Sequence, residues 1–151
     1  MSESSLPNPI FRESLAPPVW LLGFIYFLLA SLALSIWAAL GDSAGVISIL
    51  FFTVLLLVIR SKSTLHIEVT HNELTINRAH IEKKFLGEVK QLDSAQMRTT
   101  RGRNADPASF LAIRFWVSQG VKIEVKDSKD STPYWLISTK KGNQLAKALK
   151  D

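Results

Sequence analysis

Residues 19–40 read VWLLGFIYFLLASLALSIWAAL and residues 44–59 read AGVISILFFTVLLLVI, with only Gly41, Asp42 and Ser43 between them. Neither run contains Asp, Glu, Lys, Arg or His. At about 1.5 Å per helical residue, the first run is long enough to cross the roughly 30 Å of a hydrocarbon core. The second run is long enough only if its helix continues into the headgroup zones on either side. The two runs therefore predict a transmembrane helical hairpin within residues 19–61.

The charges that flank the two runs predict their orientation. Arg12 precedes the first run, Arg60 and Lys62 follow the second, and the turn between them has no basic residue. Basic residues that flank membrane helices tend to stay in the cytoplasm. We therefore expect a multi-pass membrane protein with both termini in the cytoplasm, so that residues 1–18 form a cytoplasmic N-terminal segment. The alternative is that the first run is a cleaved signal peptide. It is disfavoured because the run exceeds the roughly 7–15 residues of a signal core and a second run follows at once.

Small residues recur every four positions in the first run, at Ser31, Ser35 and Ala39. This spacing places them on one side of a helix, where small side chains permit close contact with another helix. The partner is either the chain's own second helix or a helix of another membrane protein, and a homo-oligomer stays open. Because neither run has an ionisable residue, the sequence argues against an ion or proton path.

From residue 62 to residue 151 the chain has the pattern of a small β-rich domain. Apolar and polar residues alternate at 65–69 and 74–76, with a polar break at His71 and Asn72, which indicates a hairpin. Further strands are expected at 79–81, 85–92, 110–117, 121–125 and 134–138, with a helix from the cap Asp93 through Met97, a loop at 98–107 and a closing helix at 144–149. The expected fold is a transmembrane hairpin followed by a mostly antiparallel α+β domain, and a pleckstrin-homology-like barrel is compatible with it.

The composition narrows the chemistry. The chain has no cysteine, which excludes disulfides, thiolate metal sites and a cysteine nucleophile. Its net charge of +5 belongs to residues 63–151, which hold 15 basic and 10 acidic residues. Such a domain is attracted to the negative surface of a cytoplasmic leaflet, so membrane lipids are expected partners. An ordinary excess of surface lysine is the alternative.

Several short motifs resemble the family called domain of unknown function 3093. These motifs are Phe11-Arg12-Glu13, Pro17-Pro18 with Trp20, Leu86-Gly87-Glu88-Val89, Trp116-Val117 and the stretch from Asp130 to Thr139. The resemblance covers nearly the whole chain, and its most specific part is Thr132-Pro133-Tyr134-Trp135-Leu136. It implies a small two-span protein of the bacterial inner membrane and supplies no reaction.

The densest basic cluster contains Arg98, Arg101 and Arg103. Guanidinium groups bind phosphate and carboxylate oxygens through paired hydrogen bonds, so the cluster is a candidate site for lipid headgroups, small anions or an acidic partner. A solvated loop is the alternative. A nucleic-acid partner is not expected, because the sequence shows neither a recognition helix nor an aromatic and basic RNA-binding strand.

Trp116, Tyr134 and Trp135 are the candidate anchors for a protein partner, since Trp and Tyr are enriched at the centres of interfaces. Tyr134 and Trp135 are adjacent, so in a strand their side chains point to opposite faces. One ring is therefore expected in the core and the other near a rim. Plain core packing is the alternative for all three residues.

No motif indicates catalysis. The three histidines, His66, His71 and His80, have no metal-binding spacing, and Asp127 and Asp130 lie in a turn where Asp is common for backbone reasons. Nucleophile elbows, glycine-rich phosphate loops and cofactor fingerprints are absent, so no cofactor is expected. Two hypotheses follow: a non-catalytic accessory subunit that docks on another membrane protein, and a module that senses anionic lipids or small anions. An enzyme is the minority hypothesis.

Overall fold

The computed structural model describes residues 8–150. Residues 1–7 of the predicted segment 1–18, and residue 151 of the predicted domain 62–151, lie outside this range. The described chain forms two compact units. One is a helical hairpin made of Ala16–Thr64, and the other is a domain that combines the residues before Ala16 with those from Leu65 onward.

The hairpin consists of two helices of equal length. Helix α1 is Val19–Leu40 and helix α2 is Asp42–Ser63, each of 22 residues. The helix expected at 19–40 is confirmed, and the second helix extends beyond 44–59 at both ends. The predicted three-residue turn is wrong, because Gly41 alone separates the helices. Its φ of 86° is one that a glycine adopts without strain.

Trp37, near the end of α1, holds the hairpin closed. Its indole N–H donates a hydrogen bond to Asp42 Oδ1 at 2.7 Å. Its ring packs against Gly45, where an added Cβ would lie 2.5 Å from Trp37 Cγ. The buried residues of the two helices are Ala33, Gly45 and Ser48. Small residues thus allow α1 and α2 to approach closely.

The first sheet of the domain has the strand order β1-β2-β3-β4 and is antiparallel throughout. The strands are β1 (Phe11–Leu15), β2 (Leu65–Val69), β3 (Glu73–Ile76) and β4 (Ala79–Glu82). The sequence did not predict β1, and it lies within the predicted N-terminal segment 1–18. Leu15 is the register partner of Leu65, so the hairpin is inserted between two paired strands.

The second sheet has the order β5-β7-β8-β6. Its strands are β5 (Leu86–Leu92), β6 (Phe110–Ala112), β7 (Gly120–Val125) and β8 (Tyr134–Ser138). Strand β6 runs parallel to β8, and the other pairs are antiparallel. The predicted strand 110–117 is too long: the chain leaves the sheet after Ala112, because the hydroxyl of Ser138 accepts a hydrogen bond from the backbone N–H of Arg114 at 2.9 Å.

Two helices complete the domain. Helix α3 (Ser94–Arg101) begins with a capping box in which Asp93 and Gln96 exchange side-chain and backbone hydrogen bonds. Helix α4 (Gly142–Lys150) buries Leu145, Ala146, Ala148 and Leu149. Lys83, in a single 3-10 turn after β4, donates from Nζ to the carbonyl of Ala148 at 2.7 Å and so ties α4 to the first sheet.

Apolar residues of both sheets and of α4 share one core, with Ile67, Leu74, Ile123, Ile137 and Leu145 all fully buried. The predicted α+β layout is confirmed, with two apolar helices, mostly antiparallel sheets and a C-terminal helix. The predicted start of the domain at residue 62 is wrong, because residues 62 and 63 still belong to α2. A pleckstrin-homology-like barrel stays a prediction.

Candidate functional site

The predicted basic cluster lies on α3 and directly after it. Arg98 and Arg101 are helical, which corrects the prediction of a loop at 98–107, and Arg103 follows in a turn. The helix continues past Met97 because that side chain is 2% exposed and packs in a small core beneath α3. The sequence missed this last turn because Arg98, Thr99, Thr100 and Arg101 give no apolar periodicity.

The three arginines form a positive surface. All are exposed, and none forms a salt bridge with an acidic side chain within residues 8–150. Arg98 and Arg101 are three residues apart on α3 and therefore share a helix face. Residues 8–150 provide no acidic partner for these cations, so within the described chain an anion can approach without displacing one.

Tyr134 and Trp135 are core residues, with 6% and 5% of their surface exposed. Their side chains do lie on opposite faces of β8, but both faces are covered. Trp135 belongs to the core shared by the two sheets, and Tyr134 packs with Met97 beneath α3. The expectation that one ring lies near a rim is wrong, and the packing alternative describes both residues. The sequence could not show this, because no residue pattern indicated that α3 covers the face of β8 that carries Tyr134.

Trp116, the third candidate anchor, lies in a tight turn, Arg114–Val117, that we call the aromatic turn. The N–H of Val117 donates to the carbonyl of Arg114 at 3.0 Å. The ring of Trp116 is half-buried, and its Nε1 is buried without a hydrogen-bond partner among the described residues. Phe115 stacks edge-on against Trp116 with 4.8 Å between ring centroids, and it is 67% exposed.

A buried carboxylate connects β1 to the end of β8. Glu13 is 6% exposed and accepts hydrogen bonds from the hydroxyl of Thr139 and from the backbone N–H of Lys140, the latter at 3.0 Å. The inward direction follows from the alternation of β1, in which Phe11, Glu13 and Leu15 face the core. Sequence reasoning missed this contact because it did not place residues 11–15 in a strand.

A polar crevice of about 240 Å³ opens beside the first turn of α4. It is lined by Gln91, Leu92, Gln119, Gly120 and residues 139–144. Lys140 and Lys141 are exposed at its mouth. The backbone N–H groups that begin α4 point in the direction that favours anions. The sequence gave no sign of this crevice, because its lining comes from three separate segments.

A second crevice, of about 230 Å³, contains His80, Glu82, Asp127 and Asp130 beside Phe85 and Trp135. Its carboxylates serve local structure. Glu82 pairs with Lys84 at 2.6 Å, and Asp127 accepts the N–H of Lys129. The backbone N–H of Thr132 donates to Asp130 and holds the pKa of that exposed carboxyl below its usual value. Within residues 8–150, the His and acidic side chains form no group that could hold a metal ion.

In the hairpin, the predicted stripe faces away from the helix contact. Ser31, Ser35 and Ala39 are exposed, while Ala33 is the buried residue of α1. The Ser31 and Ser35 hydroxyls donate to backbone carbonyls one turn earlier in the same helix. The alternative that the stripe packs on α2 is therefore wrong, because α1 and α2 meet on another face. A helix of another protein stays a prediction.

The structure defines a class of protein in which an apolar helical hairpin is inserted between the first two strands of an α+β domain. The chain belongs to a family described as protein of unknown function (DUF3093), whose model matches residues 10–149. The resemblance expected from the motifs is thereby confirmed, and the match covers hairpin and domain together. No curated protein and no solved structure matches the chain.

Proposed function

We propose that this protein is a non-catalytic accessory or interaction subunit, anchored by its hairpin in the bacterial inner membrane with its domain in the cytoplasm. The pairing of β1 with β2 carries the proposal. Three residues separate β1 from α1, and Thr64 alone separates α2 from β2. A hairpin that enters a membrane therefore brings its domain to the membrane surface, where the domain can meet a neighbouring membrane protein.

The exposed surface of the helices supports the membrane anchor. Both helices are long and apolar enough to cross a membrane, and only 6% and 11% of their most apolar windows are buried. The core helix of a soluble protein would be mostly buried. In water, side chains such as Phe24, Leu34 and Leu50 would form an apolar surface far larger than soluble proteins tolerate, whereas a bilayer solvates them.

The strand pairing also argues against a cleaved signal peptide. Cleavage after α1 would remove β1, whose Phe11, Glu13 and Leu15 are buried in the domain. Charge supports the orientation: α2 has Asp42 in its first turn and Arg60 and Lys62 in its last. This asymmetry favours cytoplasmic placement of the domain end of the hairpin.

The accessory role is tested by purification of the full-length protein in mild detergent after expression at its natural level. Mass spectrometry identifies the proteins and lipids that remain bound. The proposal predicts a stoichiometric membrane-protein partner that is lost when Arg98, Arg101 and Arg103 are all replaced by Glu. In a matched control variant, Lys126 and Lys129 on the turn between β7 and β8 are replaced instead. This control should keep the partner. Recovery of the protein alone would contradict the accessory role.

A second candidate is the sensing of anionic lipids or small anions. The observation that favours it is the positive surface of Arg98, Arg101 and Arg103, which has no salt bridge within residues 8–150 and lies in a region that carries the whole net charge of +5. Purified full-length protein is titrated with phosphatidylglycerol or phosphatidylcholine, and the bound lipid is counted by native mass spectrometry. Preference for phosphatidylglycerol that weakens with salt and disappears in the triple Glu variant supports sensing. Equal binding of both lipids refutes it. Residues 63–151 alone would lack β1, so the whole chain is required.

A further inference from the structure

Phe115 is displayed to solvent by a rigid turn. Among the large apolar side chains of the domain within residues 8–150, it is the most exposed at 67%, against 46% for Leu111 and 39% for Ile10. Single exposed apolar residues are common on soluble proteins and need no explanation on their own. The exposure of Phe115 is informative because of the residues that surround it.

The aromatic turn cannot easily hide Phe115. Ser138 is fully buried, and its hydroxyl accepts a hydrogen bond from the backbone N–H of Arg114. Val117, on the other side of the turn, is 4% exposed and anchors in the core shared by the sheets. Both ends of the turn are therefore fixed, and Phe115 is presented beside the half-buried ring of Trp116. Such an arrangement is pre-organised for contact at little entropic cost.

Positive charge lies along the same edge of the second sheet. The chain segment that follows Ser138 carries Lys140 and Lys141, both exposed and without a salt bridge in the described part of the chain. The N–H of Thr139 donates to the carbonyl of Gln119, which joins this segment to the loop after the aromatic turn. At the opposite edge, the turn between β7 and β8 carries Lys126 and Lys129 as well as Asp127 and Asp130, so its charges balance. The two edges thus differ in net charge.

The edge that carries Lys140 and Lys141, which we call the basic edge, is hydrogen-bonded to β1, the strand that precedes the hairpin. Glu13 holds the Thr139 hydroxyl and the Lys140 backbone, and the chain reaches the start of α1 at Val19 six residues later. Six residues span at most about 20 Å when fully extended. Only this short length of chain separates the contact of Glu13 from the first residue of α1.

We propose that the aromatic turn, with Lys140 and Lys141, contacts the anionic headgroup layer of the membrane, with the Phe115 ring at the boundary between headgroups and acyl chains. This inference rests on the proposed membrane anchor. An exposed aromatic ring on the same edge of the sheet as two cations suits an anionic bilayer surface, which solvates the apolar ring and attracts the charges together. The contact holds the domain in one orientation against the membrane.

Because the chain has no cysteine, single-cysteine variants report single positions. Ser118→Cys lies beside the aromatic turn and leaves Phe115 in place, and Ser128→Cys is a matched serine on the opposite edge. Leu34→Cys is a reference in α1. Each variant of the full chain carries an environment-sensitive fluorophore in vesicles of phosphatidylcholine and phosphatidylglycerol. Brominated acyl chains and aqueous iodide are the two quenchers.

The proposal predicts that the label at position 118 is quenched by brominated lipid and shielded from iodide, and that the label at 128 shows the reverse. Adding Phe115→Ser, or Lys140→Gln with Lys141→Gln, should reduce lipid quenching at 118. If position 118 behaves like 128 while position 34 is quenched by lipid, the inference fails and the anchor stands. If position 34 is not quenched by lipid, both fail. Shielding of 118 from iodide without lipid quenching would place a protein surface on the turn and would also overturn the inference.

Discussion

Leu34 in the hairpin is 67% exposed, whereas Leu74 in the domain is fully buried, although both are leucines in regular secondary structure. The same contrast holds for most large apolar side chains of the two units. In the domain they face a core shared by two sheets and α4. In the hairpin they face outward, and the buried positions are Ala33, Gly45 and Ser48. The two units are therefore suited to different solvents.

This difference shows where the stability of each unit comes from. The domain gains its stability in water by burying apolar surface, at about 25 cal/mol per Å². The hairpin buries too little internally for that and depends on a close contact of small residues, on the ring of Trp37 and on an apolar environment.

The largest effect is expected from Leu74→Ala. Removing a fully buried leucine leaves a cavity and should lower the free energy of unfolding of the domain by about 2–5 kcal/mol. The matched variant Leu34→Ala should leave the stability of the domain unchanged. Urea unfolding of the full chain in detergent micelles, followed by amide hydrogen exchange in β3, measures both. Equal losses in the two variants would contradict the contrast.

Gly45→Val should disturb the hairpin alone. A Cβ at position 45 would collide with the ring of Trp37, and overpacking of this kind costs about 1–3 kcal/mol. Gly23→Val is the control, because a Cβ there meets no atom within 4 Å and the change in helix propensity is the same. Spin labels at Phe27→Cys and Val54→Cys report the distance between helices. The distance should broaden for Gly45→Val only, and an unchanged distance would show that Trp37 does not set the helix contact.

Glu13→Ala should separate β1 from the end of β8. It leaves the Thr139 O–H and the Lys140 N–H without their acceptor in a partly buried site, at a cost of about 1–3 kcal/mol. Glu68→Ala is the comparison on the neighbouring strand, because it removes only an exposed salt bridge to Arg12, worth about 0–1 kcal/mol. Faster hydrogen exchange at Lys140 is expected for Glu13→Ala. Similar exchange in both variants would mean that the buried carboxylate of Glu13 does not stabilise the contact between β1 and the end of β8.

The smallest effect concerns pH. The backbone N–H of Thr132, with a smaller contribution from its hydroxyl, lowers the pKa of Asp130 in the folded domain. A carboxyl whose folded pKa is lowered stabilises the fold above its unfolded pKa, and this contribution is lost as the pH falls through the folded pKa. An NMR titration should find the Asp130 carboxyl below its usual pKa. Asp130→Asn should slightly reduce the loss of folding stability at acidic pH. An ordinary pKa for Asp130 would show that the hydrogen bond from Thr132 does not stabilise its carboxylate.

The hairpin was largely predictable because a bilayer demands long apolar runs, and such runs are visible in one dimension. The bounds of α1 match the first run, whereas α2 begins two residues before the second run, at Asp42, whose carboxylate accepts the hydrogen bond from Trp37. In contrast, β1 was not predictable. Its partner in the sheet lies 50 residues later, across both helices, and the five residues Phe11–Leu15 give too short an alternation to stand out.

The site was less predictable than the fold. The arginines could be found as a cluster, but their helical setting depends on Met97 packing beneath α3. Tyr134 and Trp135 were candidate anchors because aromatic residues are common both in protein cores and at interfaces. Only the fold shows whether other elements cover such a residue and so which of the two applies. The aromatic turn was hidden inside a predicted strand, since the hydrogen bond from Arg114 to Ser138 that ends β6 joins residues 24 positions apart.

The central claim is that the hairpin crosses a membrane and returns to a domain on one side of it. Its most direct test labels single cysteines in sealed inner-membrane vesicles with a maleimide that cannot cross the bilayer. Ser14→Cys lies on β1, Ser128→Cys lies between β7 and β8, and Ser43→Cys lies just after the turn of the hairpin. The account predicts that positions 14 and 128 react from the same side and position 43 from the opposite side. Reaction of all three positions from one side would contradict it.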